Sequence, residues 1–448
     1  MMKLIYVRQF AVWLFILGVY TSAPLKIGDM PIPAILAGVS GLFLLAINIS
    51  QIKKQHVMLL IGLGCLTVLG FVANFGDGAE IARLKGAVQL LYSVTISYGL
   101  FLELRGWGKH RVANLFQALA FIVVLGCILE LYTDFRDWSD SFRTHVFEHN
   151  ILYNSDFRDQ LVFGKVRPKL FTTEPSYVAI FFLLSMTMWV TLTNATLVPS
   201  WKYFLLAITG SFLIGSPFVL LTALVPMLNY FFLKEKGWNL MKLYVEEGVL
   251  KKLLAVSLYS SVLLFVMLGI WHKVEIGHKA EIGNKAEIGH EPIAAKNRLE
   301  QTLNGSEDSF KIRLTAPPII ARDILSKSPL FGVGLEAKVT LNKTVLGVFK
   351  QLGIQTDYLE TNRLGWSVTN NFWLHWIYWG VLGGLLVIFW MYWLMKLIGV
   401  HYPLYCFVII TMFSQTMGGY VAPKFWFICF LSMLVGALHN STKSEIVK

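Results

Sequence analysis

Apolar residues in this chain gather into long unbroken runs; they do not alternate or mark one face of a helix. The runs lie at roughly 4–22, 31–50, 56–74, 86–104, 112–133, 175–195, 201–215, 217–233, 252–271, 370–396, 402–418 and 424–439. A helix needs about 20 mostly apolar residues to cross a hydrocarbon core. Inside lipid every backbone polar group must be satisfied within the segment, which a helix does. The pattern therefore predicts an all-α polytopic membrane protein with about twelve transmembrane helices. The stretch from Trp201 to Phe232 is too long for one of them. It breaks at Gly215-Ser216-Pro217, where proline favours a helix start. Two short helices or a kinked pair fit it.

The polar intervals divide the chain. Residues 1–133 hold helices 1–5, and 134–174 form an outer loop. Helices 6–9 follow over 175–271, then a large loop over 272–368, then helices 10–12 and a tail over 369–448. Lys and Arg favour short cytoplasmic loops. With the N-terminus inside, Lys53, Lys54, Arg105, Lys109, Arg111 and the lysines of 234–252 all fall inside. The short outer loops keep only Lys26, Arg83, Lys85 and Lys424. If 201–233 were a single span, that lysine-rich stretch would fall outside. Twelve spans with both termini inside is the consistent reading, and the two longer loops face outward.

Composition agrees. Of 448 residues, 55% are hydrophobic and 15% charged, against about a quarter charged in soluble domains. The net charge of +12 belongs to topology. No aromatic-basic module of the kind that binds single strands is present, so nucleic acid is set aside as a partner. Cys65, Cys127, Cys406 and Cys429 each sit in an apolar run and predict neither a disulfide framework nor a metal site. Lys3 and Arg8 before the first run resemble a signal peptide. The poor cleavage site and the second run soon after favour a retained first helix. The large loop opens with Glu275-Ile-Gly-His-Lys-Ala, Glu281-Ile-Gly-Asn-Lys-Ala and Glu287-Ile-Gly-His-Glu-Pro. Three copies are too few for a solenoid, so this reads as a linker. His278 and His290, twelve residues apart, match no usual metal-ligand spacing.

Three polar patches crowd the predicted outer face. In the first, Lys165, Arg167 and Lys169 precede Glu174-Pro175-Ser-Tyr177. Pro175 suits the first position of a helix and Glu174 its cap. A helix N-terminus beside cations favours an anion, and Arg suits a phosphate. Anchoring of the helix at the interface explains the same cluster equally well. The second patch has Arg313 ahead of Pro317-Pro318, then Arg322-Asp323, then Pro329-Leu-Phe-Gly332-Val-Gly334. Arg322 beside Asp323 also reads as plain solvated surface. In the third, Thr369-Asn370-Asn371 opens helix 10 and His375 follows a turn later. Ionisable groups inside a membrane are functional candidates, although an interfacial His with its bonds made is the plainer reading. Trp373, Trp376 and Trp379 read as an interfacial belt. No P-loop, dinucleotide fingerprint or zinc spacing accompanies these patches.

In order and spacing the three patches resemble the O-antigen polymerase and O-antigen ligase superfamily of bacterial membrane proteins. The likeness covers roughly the C-terminal two-thirds of the chain. Arg167 to Tyr177 resembles that family's basic stretch before Glu-Pro at a helix start. Arg313 to Gly334 resembles its Arg, helix, Pro-Leu-x-Gly-x-Gly pattern. Thr369 to Gly383 resembles its His-Asn helix ending in Gly-x-x-Gly. The chain departs at Thr369, where a ligase usually carries His, and at Gly215-Ser216-Pro217, which lacks the Arg of a common Ser-Arg-Gly.

The resemblance implies a metal-independent glycosyltransferase in the bacterial inner membrane that needs no cofactor. It would polymerise undecaprenyl-pyrophosphate-linked oligosaccharides into O-antigen or capsular polysaccharide at the periplasmic face. A flippase and a chain-length co-polymerase are the partners such systems imply. Arg167 and Arg313 are then expected on the pyrophosphate, with Lys169 assisting and Arg313 stabilising the leaving charge. Glu174 is expected as the base for the acceptor hydroxyl, or to position it. Tyr177, Arg322, Asn370 and His375 are expected as further substrate contacts. The alternatives are a ligase joining polymer to lipid A core and a transporter of lipid-linked sugars. The missing His at Thr369 disfavours the ligase. The lack of a repeat between the halves disfavours the transporter.

Overall fold

The computed structural model describes residues 2–27, 30–147, 152, 156, 159, 166–193, 200–233, 311–354, 361–415 and 417–438. The predicted span at 252–271, the lysine-rich stretch before it, the hexapeptide repeat and Lys165 lie outside the described residues.

Among the described residues the fold is helical. In chain order the helices are α1 Met2–Thr21, α2 Ile35–Ile47, α3 Lys54–Val72, α4 Glu80–Arg105, α5 Lys109–Tyr132, α6 Phe135–Val146 and α7 Pro175–Leu192. Then come α8 Trp201–Ile214, α9 Val225–Leu233, α10 Ala316–Lys327, α11 Lys338–Gln351, α12 Asn371–Leu397, α13 Pro403–Ser414 and α14 Pro423–Leu438. The exception is a small antiparallel hairpin, β1 Leu25–Ile27 with β2 Met30–Ile32, which takes the place of the predicted start of the second span. Six helices are long and apolar enough to cross a membrane: α1, α3, α4, α5, α7 and α12. The chain is thus a polytopic helical membrane protein. The helices α2, α8, α13 and α14 are apolar but shorter, and α6, α10 and α11 occupy the two predicted loops.

The expected break after α8 is present. Gly215 caps α8 in the left-handed region (φ 60°), and Pro217 starts a 3-10 helix over Pro217–Ala223 that leads into α9. The second half of that stretch is therefore neither one regular span nor a simple kinked helix.

The chain forms two compact units. The first comprises Met1–Val19, Leu25–Gly106 and Gln301–Ala437; the second comprises Tyr20–Pro24, Trp107–Glu300 and Leu438–Lys448. In the first, α2 lies tightly on α4. A Cβ at Gly41 would come 2.7 Å from the Ile96 side chain, so small residues set the approach, as in other membrane helix pairs. Further along, α3 meets α12, where the Trp390 indole N–H donates to the Leu59 carbonyl at 2.7 Å. The loop helices α10 and α11 pack on each other, and α10 packs on α12. In the second unit, α5 and α7 pack side by side with α8 against both.

Candidate functional site

In the second unit the polar chemistry centres on the turn before α7. Leu170 and Phe171 both hold positive φ, 43° and 66°. For bulky residues this costs of order 1–3 kcal/mol each. The surroundings hold the turn in that shape. Glu130, buried near the end of α5, accepts the backbone N–H of Lys169 (2.9 Å) and of Leu170 (2.6 Å). The Ser139 hydroxyl accepts the Phe171 N–H at 3.0 Å. Arg143, buried on α6, donates to the carbonyls of Thr172 (2.7 Å) and Thr173 (3.2 Å). The Thr172 hydroxyl donates to the carbonyls of Lys169 and Glu174. Carboxylate and guanidinium thus clamp the turn through its backbone, one at its N–H groups and the other at its carbonyls.

The predicted cations are committed within this unit. Arg167 donates to Asp159 at 2.9 Å, and its own N–H reaches the same carboxylate. The Lys169 ammonium, 2% exposed, pairs with Asp156 at 2.8 Å, and Arg136 takes the other oxygen of Asp156. Burial pushes the Asp156 carboxyl up, but Lys169 and Arg136 outweigh it and hold it below the usual range. Lys169 therefore stabilises the turn and does not face an incoming anion. Tyr177 is half-buried on the first turn of α7.

Glu174 differs from its neighbours. It occupies the N-cap of α7, with Pro175 as the first helical residue. Its side chain makes no capping bond. The carboxylate is half-buried and joins no hydrogen bond or ion pair among the described residues. The expected cap position is correct, but the side chain does not do the capping.

In the first unit the second and third patches meet. Inside α12, Gly380 takes φ 65° and ψ −170°, which breaks the helix. The groups the break frees are taken up by Pro329–Gly334. The N–H groups of Val333 and Gly334 donate to the carbonyls of Ile377 (2.9 Å) and Tyr378 (3.0 Å). The N–H groups of Val381 and Gly383 donate to the carbonyls of Pro329 (2.7 Å) and Leu330 (3.1 Å). The backbones approach so closely that a Cβ on Gly332 would lie 2.7 Å from the Gly380 nitrogen. Irregular backbone at membrane depth is tolerated where protein satisfies it in this way.

Arg83 locks the loop down. The short-outer-loop placement expected from the sequence is corrected here: Arg83 stands in the first turn of α4, 2% exposed. It donates to the Val333 carbonyl (2.9 Å), the Asn74 carbonyl (2.7 Å) and both oxygens of Asp77. The Arg83 hydrogen bonds and charge hold the Asp77 carboxyl below the usual range.

Arg313 lies half-buried in a π-helical turn, Lys311–Thr315. Its carbonyl accepts from the Asn370 amide (2.8 Å), which also donates to Gln415 Oε1 (2.7 Å); Asn370 Oδ1 caps α12 through the Trp373 N–H. Asn370 is thereby fully used in tying Arg313 to the start of α12. Both ring nitrogens of His375 are engaged, one with the Tyr420 hydroxyl (2.9 Å) and one with the Gly384 carbonyl (3.1 Å), so His375 braces the broken helix. Arg322 stands exposed on α10 with no ion pair among the described residues. Its neighbour Asp323 binds Lys327 and Thr344 instead. Asn371, 1% exposed, leaves both ends of its amide unpaired among the described residues, and so does the Thr369 hydroxyl.

Sequence reasoning missed Arg83, Arg143, Asp156, Asp159 and Asn371. It missed Glu130 as well, although a carboxylate within an apolar run is a signal that could have found it. The four charged ones lie in polar segments where a buried ion pair and a solvated one read alike, and Asn371 reads as part of the opening of helix 10. The chain matches no protein-family model, no curated protein and no solved structure.

Proposed function

We propose that the chain is a glycosyltransferase that joins lipid-linked oligosaccharides at the outer face of a bacterial inner membrane. Glu174 carries the reading. It is a half-buried carboxylate without a partner among the described residues, in a unit whose other described acids mostly hold cations or backbone. A rigid, strained turn fixes it at the mouth of a transmembrane helix. Strain held in place by surrounding bonds gathers at functional sites, and a general base needs this kind of fixed position.

The acceptor is the terminal sugar hydroxyl of one undecaprenyl-pyrophosphate-linked repeat unit. Its proton passes to the Glu174 carboxylate. The hydroxyl oxygen bonds to the anomeric carbon of the reducing-end sugar on a second chain. The bond from that carbon to the pyrophosphate oxygen breaks, and undecaprenyl pyrophosphate leaves with the electron pair. Arg167, part-exposed and on the stretch that leads to Glu174, is the cation that meets the leaving charge, exchanging some of its bond to Asp159 for the phosphate. Preorganised cations of this kind stabilise developing charge without a metal. Resemblance in the three patches supports O-antigen or capsule polymerase over ligase, because Thr369 stands where a ligase carries His.

The break in α12 is the observation that favours a transporter, since transporters use broken helices to bind ions. Here the freed carbonyls of Ile377 and Tyr378 already hold Val333 and Gly334, which leaves little to bind cargo.

The test is the polysaccharide ladder of a deletion strain complemented with variants. Loss of the gene should leave one repeat unit per acceptor. Glu174→Gln should do the same with normal protein in the membrane, and Glu174→Asp should restore part of the ladder. A general base contributes about 10²–10⁴-fold. A normal ladder from Glu174→Gln refutes the assignment of Glu174. Polymer piled up on undecaprenol would identify the ligase instead.

A further inference from the structure

The first unit holds a cavity of about 190 Å³ that plays no part in the site above. Its walls include Leu45, His56, Tyr98, Trp390, Leu394 and Phe430. Two of its polar groups turn to protein partners: His56 Nδ1 accepts from the Tyr98 hydroxyl at 2.7 Å, and the Trp390 N–H donates to Leu59; His56 Nε2 has no partner among the described residues. Apart from Thr95 and that nitrogen, what remains inside is almost wholly hydrocarbon. Dry apolar cavities of about 150 Å³ take up apolar guests. The cavity is not sealed, because Val57 belongs to its lining and is exposed on the outside of α3.

Charge gathers beside it. Lys53 and Lys54 stand at the start of α3, one turn or less from His56, and Arg105 ends α4. The charges of Lys53 and Arg105 both act on His56. All three cations are exposed, and none makes an ion pair among the described residues. The acid nearest in sequence to Arg105, Glu103, is buried and already held by Arg8 at 2.6 Å and by the Asn48 amide at 2.9 Å. An apolar chamber open to lipid beside three uncompensated cations has the chemistry of one ligand class.

We propose that it binds an anionic diacyl phospholipid, with part of one acyl chain in the cavity and the phosphate held by Lys53, Lys54 and Arg105. Basic residues at a membrane surface select anionic headgroups in this way. The site is separate from Glu174 and does not depend on the enzymatic reading.

The experiment uses the full chain in uncharged detergent and native mass spectrometry. Phosphatidylglycerol and phosphatidylcholine with identical acyl chains are titrated in parallel. Phosphatidylglycerol should bind at least about tenfold more tightly, since each basic group contributes roughly fivefold. Lys53→Gln/Lys54→Gln/Arg105→Gln, all at exposed positions, should abolish that preference. Thr95→Phe, which fills the cavity from α4, should weaken phosphatidylglycerol binding while the cations stay in place. Equal binding of the two lipids overturns the proposal, as does a preference that survives the triple substitution. Unchanged binding by Thr95→Phe overturns the acyl-chain half. A polyprenyl phosphate that binds where phosphatidylglycerol does not would also overturn it.

Discussion

Arg83 spends its guanidinium on two backbone carbonyls and one carboxylate, and its partner Asp77 makes that bond sensitive to acid. The folded carboxyl titrates below its unfolded value of about 3.9. Its stabilising contribution is therefore complete above that value and is lost as pH falls through the lower, folded one. Asp77→Asn should melt earlier than the natural protein at pH 7, and the gap should close below about pH 4. Thermal melting in detergent from pH 7 to pH 3 reads this directly; a gap that persists unchanged into acid would show that the charge is not what matters. Arg83→Lys should not replace the guanidinium, because one ammonium cannot reproduce its fork of donors. Arg313 gives a second residue-scale prediction, which rests on the enzymatic reading. Asn370 binds its backbone carbonyl, so removing the side chain leaves that bond in place. Arg313→Ala should therefore abolish long polymer while the protein accumulates normally; a ladder of ordinary length would remove Arg313 from the chemistry. The sequence made Arg167, Arg313 and Glu174 visible as polar residues at helix mouths. It could not show that Asp159 holds Arg167 or that the Glu174 carboxylate has no partner among the described residues, because those facts depend on partners whose placement no local pattern encodes.

At the scale of elements, the loop Pro329–Gly334 and the break in α12 form one device. Both glycine pairs, Gly332 with Gly334 and Gly380 with Gly383, stand out in the sequence, yet Gly332-Val-Gly334 alone reads as an ordinary turn. Their docking leaves no side-chain signature, since it is made between backbones. Gly380 is the point of failure. Alanine there prefers a continuous helix, and φ 65° with ψ −170° is a region essentially confined to glycine, costing another residue of order 1–3 kcal/mol. Its Cβ would also lie 2.5 Å from the Gly332 nitrogen. Gly380→Ala should therefore expel the loop. Limited proteolysis should cut between 328 and 338 in the variant and spare the natural protein, and the melting temperature should fall. Equal protection in both would mean that the loop is held by Arg83 alone. The turn before α7 was legible only in part. Its cap residue and proline were readable, whereas left-handed Leu170 and Phe171 were not, because such residues avoid that region unless tertiary bonds hold them there.

For the whole molecule, the runs of apolar residues identified a helical membrane protein, and the boundaries of α3, α5, α7 and α12 fall within a few residues of the expected ones. The count of twelve does not follow as directly. A run of apolar residues reports burial from water, and both lipid and protein provide it. Helix α2, at 13 residues, reaches only about 20 Å at 1.5 Å per residue, and α7 is almost wholly enclosed by protein. Charge is the independent evidence for which side each end faces. The bias of Lys and Arg toward cytoplasmic loops predicts a cytoplasmic position for Lys53, Lys54 and Arg105 and an outer position for the residues before α7. Single cysteines test this in intact cells, in a background where the four natural cysteines are replaced. A membrane-impermeant maleimide should label Asp134→Cys, at the start of the first long loop, and should leave Gln55→Cys untouched until the cells are opened. Labelling of Gln55→Cys from outside with Asp134→Cys protected would invert the topology, carry Glu174 to the cytoplasm, and leave the proposed outer-face reaction without a base.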